Sequence, residues 1–463
     1  MEQQGQGESR ASTPAKPRRC GWRPTPCLDP GGRALSWLAG LTVFATVLVV
    51  AAASSGWALG EQATPYAADL QVVRRPVSEV DNGFELLLFK ANDVYWPDRA
   101  EGRLAARMLA GQWGDGASDL AVKILEHNAM PLERFDHCLR RPQFQFPQSR
   151  SNSAWLRTSN EWLRLGRVVS LRAMAKGRAG RGAAAVEDAM RLVRLGHRIE
   201  AAQGNLLHWN SGSRLKLVGL SCLARLLPLV ELPSLDLVRF ARELRNYPAH
   251  VIGLQDAYRW EYGVLHRQVD SLASSEVDPM ELGIVVNQQL MRNWNSPEHF
   301  DPDHTKQVLA AGIRLAIHGL AHYEPGTLLG LFQQLAELRE NTEKLNVNPI
   351  GVMFYKSSLS KGILVPLRQV AKENTHLAAL RTLLALKAWQ KRNGSLPRSL
   401  AQLVPTFLDE VPKDPFNGQP LRYSRSKKIV YSVGEDRKDA GGSGAGAGRT
   451  RVDDNEPTFH IGF

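Results

Sequence analysis

At 463 residues, with 43% hydrophobic and 22% charged side chains, the chain has an ordinary globular balance and room for two or three domains. That excludes a chain too short or too polar to bury a core. The net charge of +12 comes without a basic run of five or six residues or interleaved aromatics, so it reads as a solvated face that leans on anionic lipid rather than as a nucleic-acid footprint.

Residues 1–33 are rich in Gly, Pro, Ser and charge, too poor in apolar surface to offset the entropy of ordering, and read as a disordered tail. Ala34–Ala53 is an uninterrupted apolar run of 20 residues, which at about 1.5 Å per residue matches a ~30 Å hydrocarbon core. Hydroxyls at Ser36, Thr42 and Thr46 are free to bond back to helix carbonyls, and Trp37 and Trp57 fall where amphipathic rings prefer the headgroup level. Six basic side chains (Arg10, Lys16, Arg18, Arg19, Arg23, Arg33) against Glu2, Glu8 and Asp29 leave the leader at +3 and on the cytoplasmic side. The expectation is a signal anchor over 34–54, N-terminus inside, at the inner (cytoplasmic) membrane, with everything after Ser54 exported to the periplasmic side. A cleaved secretion signal is the competing reading; the long leader, full-length core and the weak cleavage site offered by Ala51 and Ala53 argue against it.

Residues 65–376 repeat with a helical period and are expected to form an exported helical domain of about eight to ten helices. Leu192, Leu195 and Ile199 share one face, and Leu215, Leu217, Val218, Leu220, Leu223, Leu226 and Leu227 fill one almost wholly buried helix. Asp278-Pro279-Met280-Glu281 resembles a capping box, and Asp301-Pro302-Asp303 opens a helix in a similar way. The glycine-rich stretch 177–182, Leu232-Pro233 and Glu324-Pro325-Gly326 separate elements at helical lengths.

The pattern changes at residue 377. A helix over Leu377–Arg392 ends at Asn393-Gly394, a C-cap signal, and turn residues Pro412, Asp414-Pro415 and Asn417-Gly418 follow a short Leu400–Leu408 segment. Leu421–Ser424 and Ile429–Val433, joined by the basic turn Arg425–Lys428, predict an antiparallel hairpin, and Thr458–Ile461 is a last strand candidate.

The order Asn393-Gly394, Leu396-Pro397 with Ser399-Leu400, Pro412 through Gly418, Tyr423, Tyr431 through Gly434, and Asp436 with Gly441-Gly442 resembles the C-terminal part of the major pseudopilin of type II secretion systems. The resemblance implies a small α+β module over 377–463, giving a mainly α chain with one pseudopilin-like appendage. It also implies a Ca²⁺ site in the tail loop, for which Asp436, Asp439, Asp453 and Asp454 supply hard oxygen ligands. The competing reading of these acids is a solvated turn. Arg437 and Lys438 stand where the family usually has Gly and small residues, and the chain lacks the family's prepilin-peptidase site, since Arg33 and Trp37 would fall where an aromatic and a Glu belong. More than 300 residues then separate span from module, so packing into a pilus fibre is not expected. The layout as a whole resembles a class of large bacterial membrane-anchored proteins carrying such a module.

His318 and His322 stand four apart on one helix face, with His299, Asp301, Asp303 and His304 upstream, but HxxxH lacks the Glu of a zincin motif and reads as ordinary helix histidines. Cys138 and Cys222 either pair in the oxidising exterior or are buried thiols that never meet, and the cluster Tyr258-Arg259-Trp260-Glu261-Tyr262 lines a groove or packs a core. The expected function is a membrane-anchored, exported interaction or structural protein with a protein partner, tied to secretion or envelope assembly. The alternative is an exported enzyme with its active site in the helical domain.

Overall fold

The computed structural model describes residues 67–74, 76–147, 152–282, 292–344, 348–442 and 456–463. The tail over 1–33, the span over 34–54, and Asp453 and Asp454 lie outside the described residues. Among those described, no helix is long and apolar enough to cross a membrane.

The architecture is mainly helical with one small antiparallel sheet. In chain order the helices are α1 Arg99–Leu109, α2 Ala117–His127, α3 Ala129–Cys138, α4 Asn152–Arg178, α5 Gly182–Glu200, α6 Leu206–Leu226, α7 Ser234–Leu244, α8 Val251–Ala273, α9 Pro302–Ala321, α10 Leu328–Lys344, α11 Pro349–Ser358 and α12 Val365–Asn393. More helices appear than the eight to ten expected, because residues 99–138 break into three short ones. The breakers act where the sequence places them. Gly180, at φ +75°, separates α4 from α5, and Gly394, at φ +74°, ends α12. The Asp278–Glu281 capping box closes reciprocally, with Glu281 N donating to Asp278 Oδ1 at 2.9 Å and Asp278 N to Glu281 Oε1 at 3.5 Å. Asp301 caps α9 by accepting from His304 N at 2.9 Å.

Residue 377 falls inside α12, so the change read there is not a chain break. It is a change of core. Upstream, Leu367, Val370 and Ala371 pack with α8, α9 and α11. Downstream, Leu377 to Ala388 pack with α4–α7 and the C-terminal sheet in one continuous core that takes in Leu383, Leu386, Leu400, Leu403 and Phe407. A third core gathers Phe84, Leu87 and Trp162 with α1–α3, α5 and α6. The C-terminal region therefore shares its interior with the helical body. Lys387 of α12 ties the two together, its Nζ bonding the Leu227 carbonyl and, at 2.7 Å, the Val230 carbonyl just past α6.

The expected antiparallel hairpin forms about Arg425–Lys428 with shorter strands: β1 Arg422–Ser424 pairs with β2 Ile429–Tyr431, Tyr423 opposite Val430. The last strand, β3 Thr458–His460, adds antiparallel to β2 with Phe459 opposite Val430. Asp414 organises the turn before it. Its carboxylate is fully buried and accepts from Phe416 N (3.0 Å), Ser432 Oγ (2.9 Å) and Val433 N (2.9 Å), bolting the Asp-Pro turn to the end of β2. The turn in turn docks on the α9–α10 loop, where Gly326 N donates to Pro415 O at 2.8 Å. Arg437 holds an unfavourable φ of +57° while its guanidinium donates to Phe416 O and Gly326 O, both at 2.8 Å.

Removing the Asp414 carboxylate strands buried donors, at about 1–3 kcal/mol for each. Asp414→Ala is therefore expected to lower the urea midpoint strongly with an unchanged slope, and Asp414→Asn, which retains one acceptor oxygen, to lower it less.

Candidate functional site

The most concentrated buried chemistry lies where α5, α6, α12 and the start of α8 meet. Its geometry begins with glycine. A Cβ on Gly196 of α5 would stand 2.5 Å from Gly212 O and 2.6 Å from Lys216 N of α6, and one on Gly219 would stand 2.9 Å from Ala189 O. Larger residues would force α5 and α6 apart. With glycine the helices close up and Lys216 enters between them.

The Lys216 side chain is 0% exposed. Its Nζ meets Glu200 Oε2 of α5 at 2.6 Å, Glu373 Oε1 of α12 at 2.5 Å and the Pro248 carbonyl at 3.0 Å, with His197 Nδ1 at 3.3 Å. Ser213, one turn back on α6, donates to the second Glu373 oxygen and accepts from Gln369 Nε2 at 3.1 Å. The His250 backbone N–H donates to Glu200 Oε2 at 2.9 Å, while its ring Nδ1 caps α8 by accepting from Gly253 N at 2.9 Å.

Two carboxylates on one sealed ammonium cannot both stay ionised cheaply. Burial, and then the Glu373 carboxylate, push the Glu200 carboxyl well above the usual range, against the pull of Lys216. Glu200 Oε1 is buried without a hydrogen-bond partner among the described residues, and a proton on Glu200 leaves the Lys216–Glu373 pair neutral overall. Burial followed by the Lys216 charge drives His197 down to about 3 and lowers His250, so both rings are neutral. The arrangement can hold one proton and lock four elements. Ser213-x-x-Lys216 has the spacing of serine–lysine acyl-transfer sites, yet Ser213, Lys216, Glu200 and Glu373 are all enclosed by protein. A second ionic ladder starts nearer the beginning of α5: buried Asp188 binds Arg172 (2.9 Å) and Lys176 (2.6 Å), and Arg172 passes on to Asp136 at 3.0 Å.

The residues singled out from sequence fall elsewhere. Asp439 pairs with Arg422 at 3.1 Å and accepts from Tyr431 OH at 3.1 Å and from Gly441 N at 3.0 Å; Asp436 accepts from Lys438 N at 3.0 Å. Glu456 is the acid that shapes the loop, bonded by Ala440 N and, at 3.0 Å, by Gly442 N. His318 of α9 and His322 at its C-terminal cap lie with ring centroids 4.4 Å apart and planes tilted by 46°, and Asp301 and His304 serve the N-terminal cap of that helix. Among the described residues no group of three or more His, Cys, Asp and Glu side chains is placed to hold a metal ion. Cys138 and Cys222 are separate buried thiols, each pushed up to about 12 by burial. Tyr258 is core, its hydroxyl bonding Ile363 O at 2.8 Å, and Trp260 Nε1 donates to Gln203 O at 3.0 Å.

Comparison with family models, with curated proteins and with solved structures gave no match.

Taking away one partner of a buried ion pair costs about 3–5 kcal/mol, so Lys216→Met is expected to unfold the chain or lower its urea midpoint severely, while Glu200→Gln, which copies the protonated acid, is expected to be mild. The pH dependence has a definite sign. Glu200 is raised and Glu261 is raised to about 7, so their contribution is complete below the unfolded carboxyl value and is lost as pH rises through the folded values. His197, depressed to about 3, acts oppositely: its contribution is present above the unfolded imidazole value and lost as pH falls. Above about pH 7, where the imidazoles are neutral in both folded and unfolded chains, urea midpoints should decline as pH rises, and less steeply in Glu200→Gln.

Proposed function

We propose that the chain is a membrane-anchored, exported interaction or structural protein that presents its pseudopilin-like C-terminal region on a rigid helical body. The observation that carries this reading is the shared core: Leu377 to Ala388 of α12 pack at once against α4–α7 and the sheet residues Val430 and Phe459. A module built into its support in this way suits a fixed recognition surface. Secretion or envelope assembly is the setting suggested by the resemblance. The Ala34–Ala53 run supplies the tether, with the inner membrane as its location and the C-terminal part on the periplasmic side.

The test is topology together with extraction. In intact cells the C-terminal epitope should be protected from protease, become accessible once the outer barrier is opened, and stay with the membrane after carbonate washing. Mature protein starting between Ser54 and Glu61 would replace the anchor with a secreted form.

A second reading, an exported enzyme using Ser213 and Lys216, has one observation in its favour, the spacing of those two side chains around Glu373. It requires reagents to reach Lys216. Brief acylation of the native protein, read by mass spectrometry, should leave Lys216 unmodified while surface lysines react; rapid labelling of Lys216 would favour the enzyme.

The calcium reading of the tail loop rests on the resemblance and on Asp436, Asp439, Asp453 and Asp454, and Asp439 would have to exchange Arg422 for the cation. Low-millimolar calcium should raise the melting temperature of the whole chain and not that of Asp436→Ala, since a ligand bound only to the folded state stabilises it.

A further inference from the structure

The stretch His318-Gly319-Leu320-Ala321-His322 forms no zincin site, but the structure gives its two imidazoles a specific relation. His318 lies in the last turn of α9 and His322 at its C-terminal cap, and both residues are exposed. The body of the protein covers the neighbouring face of the helix instead: a Cβ on Gly319 would stand 2.6 Å from the Leu331 side chain of α10. The pair is therefore left open to solvent, on one side of the helix end. Arg314, one turn earlier, gives its donors to Asp69 at 2.7 and 2.8 Å, so the cation on that side is already matched by a carboxylate.

The ring nitrogens are prepared as ligands. His322 Nδ1 lies 3.0 Å from the His318 carbonyl. A carbonyl oxygen only accepts, so Nδ1 carries the proton and Nε2 keeps its lone pair, the tautomer that a backbone carbonyl fixes in metal-binding histidines. The His318 ring makes no hydrogen bond among the described residues and is free to turn either nitrogen to a shared ligand. The spacing of the rings is a second, independent observation. A metal–nitrogen bond of about 2.0–2.1 Å places an ion about 3.2 Å from the centre of the imidazole that binds it. Rings whose centroids are 4.4 Å apart would meet one such ion at about 90°, the angle between adjacent ligands of a tetragonal or octahedral ion and narrower than a tetrahedral zinc angle.

We propose that His318 and His322 form a surface chelate for a divalent transition ion of the copper and nickel class. The ion is bound through His322 Nε2 and one nitrogen of His318, and water or an external ligand fills its remaining positions. Imidazole suits these ions, and Cu²⁺ stands highest in the divalent affinity order. Two protein ligands are enough for a bidentate grip while leaving the ion open to exchange. The site is independent of the anchor, of the tail loop and of the sealed Lys216 network.

The full-length chain, purified without a histidine tag, is titrated with Cu²⁺ at neutral pH against glycine as a competing chelator. Electron paramagnetic resonance of the tightest equivalent should show coupling to two equatorial imidazole nitrogens. His318→Gln and His322→Gln should each weaken that equivalent by about tenfold or more, because a lone imidazole loses the effective concentration of the second. His137→Gln and His460→Gln, also at exposed positions, should leave it unchanged. His318→Gln removes a side chain without a hydrogen bond to any described residue, so its far-ultraviolet circular dichroism should match wild type and the loss can be assigned to the ligand. Unchanged affinity in both α9 variants, or coupling to a single nitrogen in wild type, would overturn the proposal.

Discussion

The Lys216 ammonium is the constraint around which the helical body is arranged. It is held by carboxylates from α5 and α12 and by a carbonyl just before α8, so four separate stretches of chain must arrive together for its charge to be met. A buried ion pair gives little net stability compared with well-packed apolar residues, but it is unforgiving of a partner's absence. We read it as a register device. Leucine-rich helices such as α6 can slide or rotate against their neighbours with modest loss, whereas a sealed ammonium accepts only the alignment that brings Glu200 and Glu373 to it. The glycine contacts at Gly196, Gly212 and Gly219 make that alignment sterically possible.

From that junction α12 carries order outward. Glu373 lies between its two halves, which belong to two different cores. Fixing Glu373 on Lys216 therefore fixes both halves at once, one against α8, α9 and α11 and the other against α7 and the sheet. The C-terminal region inherits its position from this helix and is pinned a second time at the α9–α10 loop by Pro415, Gly418 and Arg437. At Gly418 a Cβ would stand 2.7 Å from Pro325 O, so this approach is again one that only glycine allows.

Much of this was legible in the sequence, because local signals are short-ranged. Helix punctuation at Gly180, Asp301 and Gly394, the hairpin about Arg425–Lys428 and the final strand at Thr458 each follow from residues within a few positions of one another. The change of character at residue 377 was visible too, but periodicity registers which residues are apolar and not which partner they face. A shift from one core to another within an unbroken helix therefore looked like a boundary. The Lys216 site left a fainter trace. Its acids stand 16 and 157 positions away, and the one local hint was a lysine flanked by Leu215 and Leu217 in a leucine-rich helix. A charge in such a stretch has to be met by something distant, and sequence order does not say what.

The residues that carry the pseudopilin-like resemblance hold the turn and the sheet together. Asp414 bolts the turn to β2, Gly418 admits the Pro325 carbonyl, Gly394 stops a helix, and Tyr423 OH bonds Pro397 O at 3.0 Å. Each of these residues has a structural role in the fold. A turn of this kind can recur wherever a helix must hand over to a small sheet. What is particular to this chain lies in its departures. Arg437 occupies a left-handed backbone position that glycine would fill without strain, and its guanidinium reaches both the turn and the α9–α10 loop. A residue kept at an unfavourable φ must be repaid by its contacts. Those contacts join the C-terminal region to the α9–α10 loop, so the feature that departs from the family pattern adds a further tie between parts that already share a core.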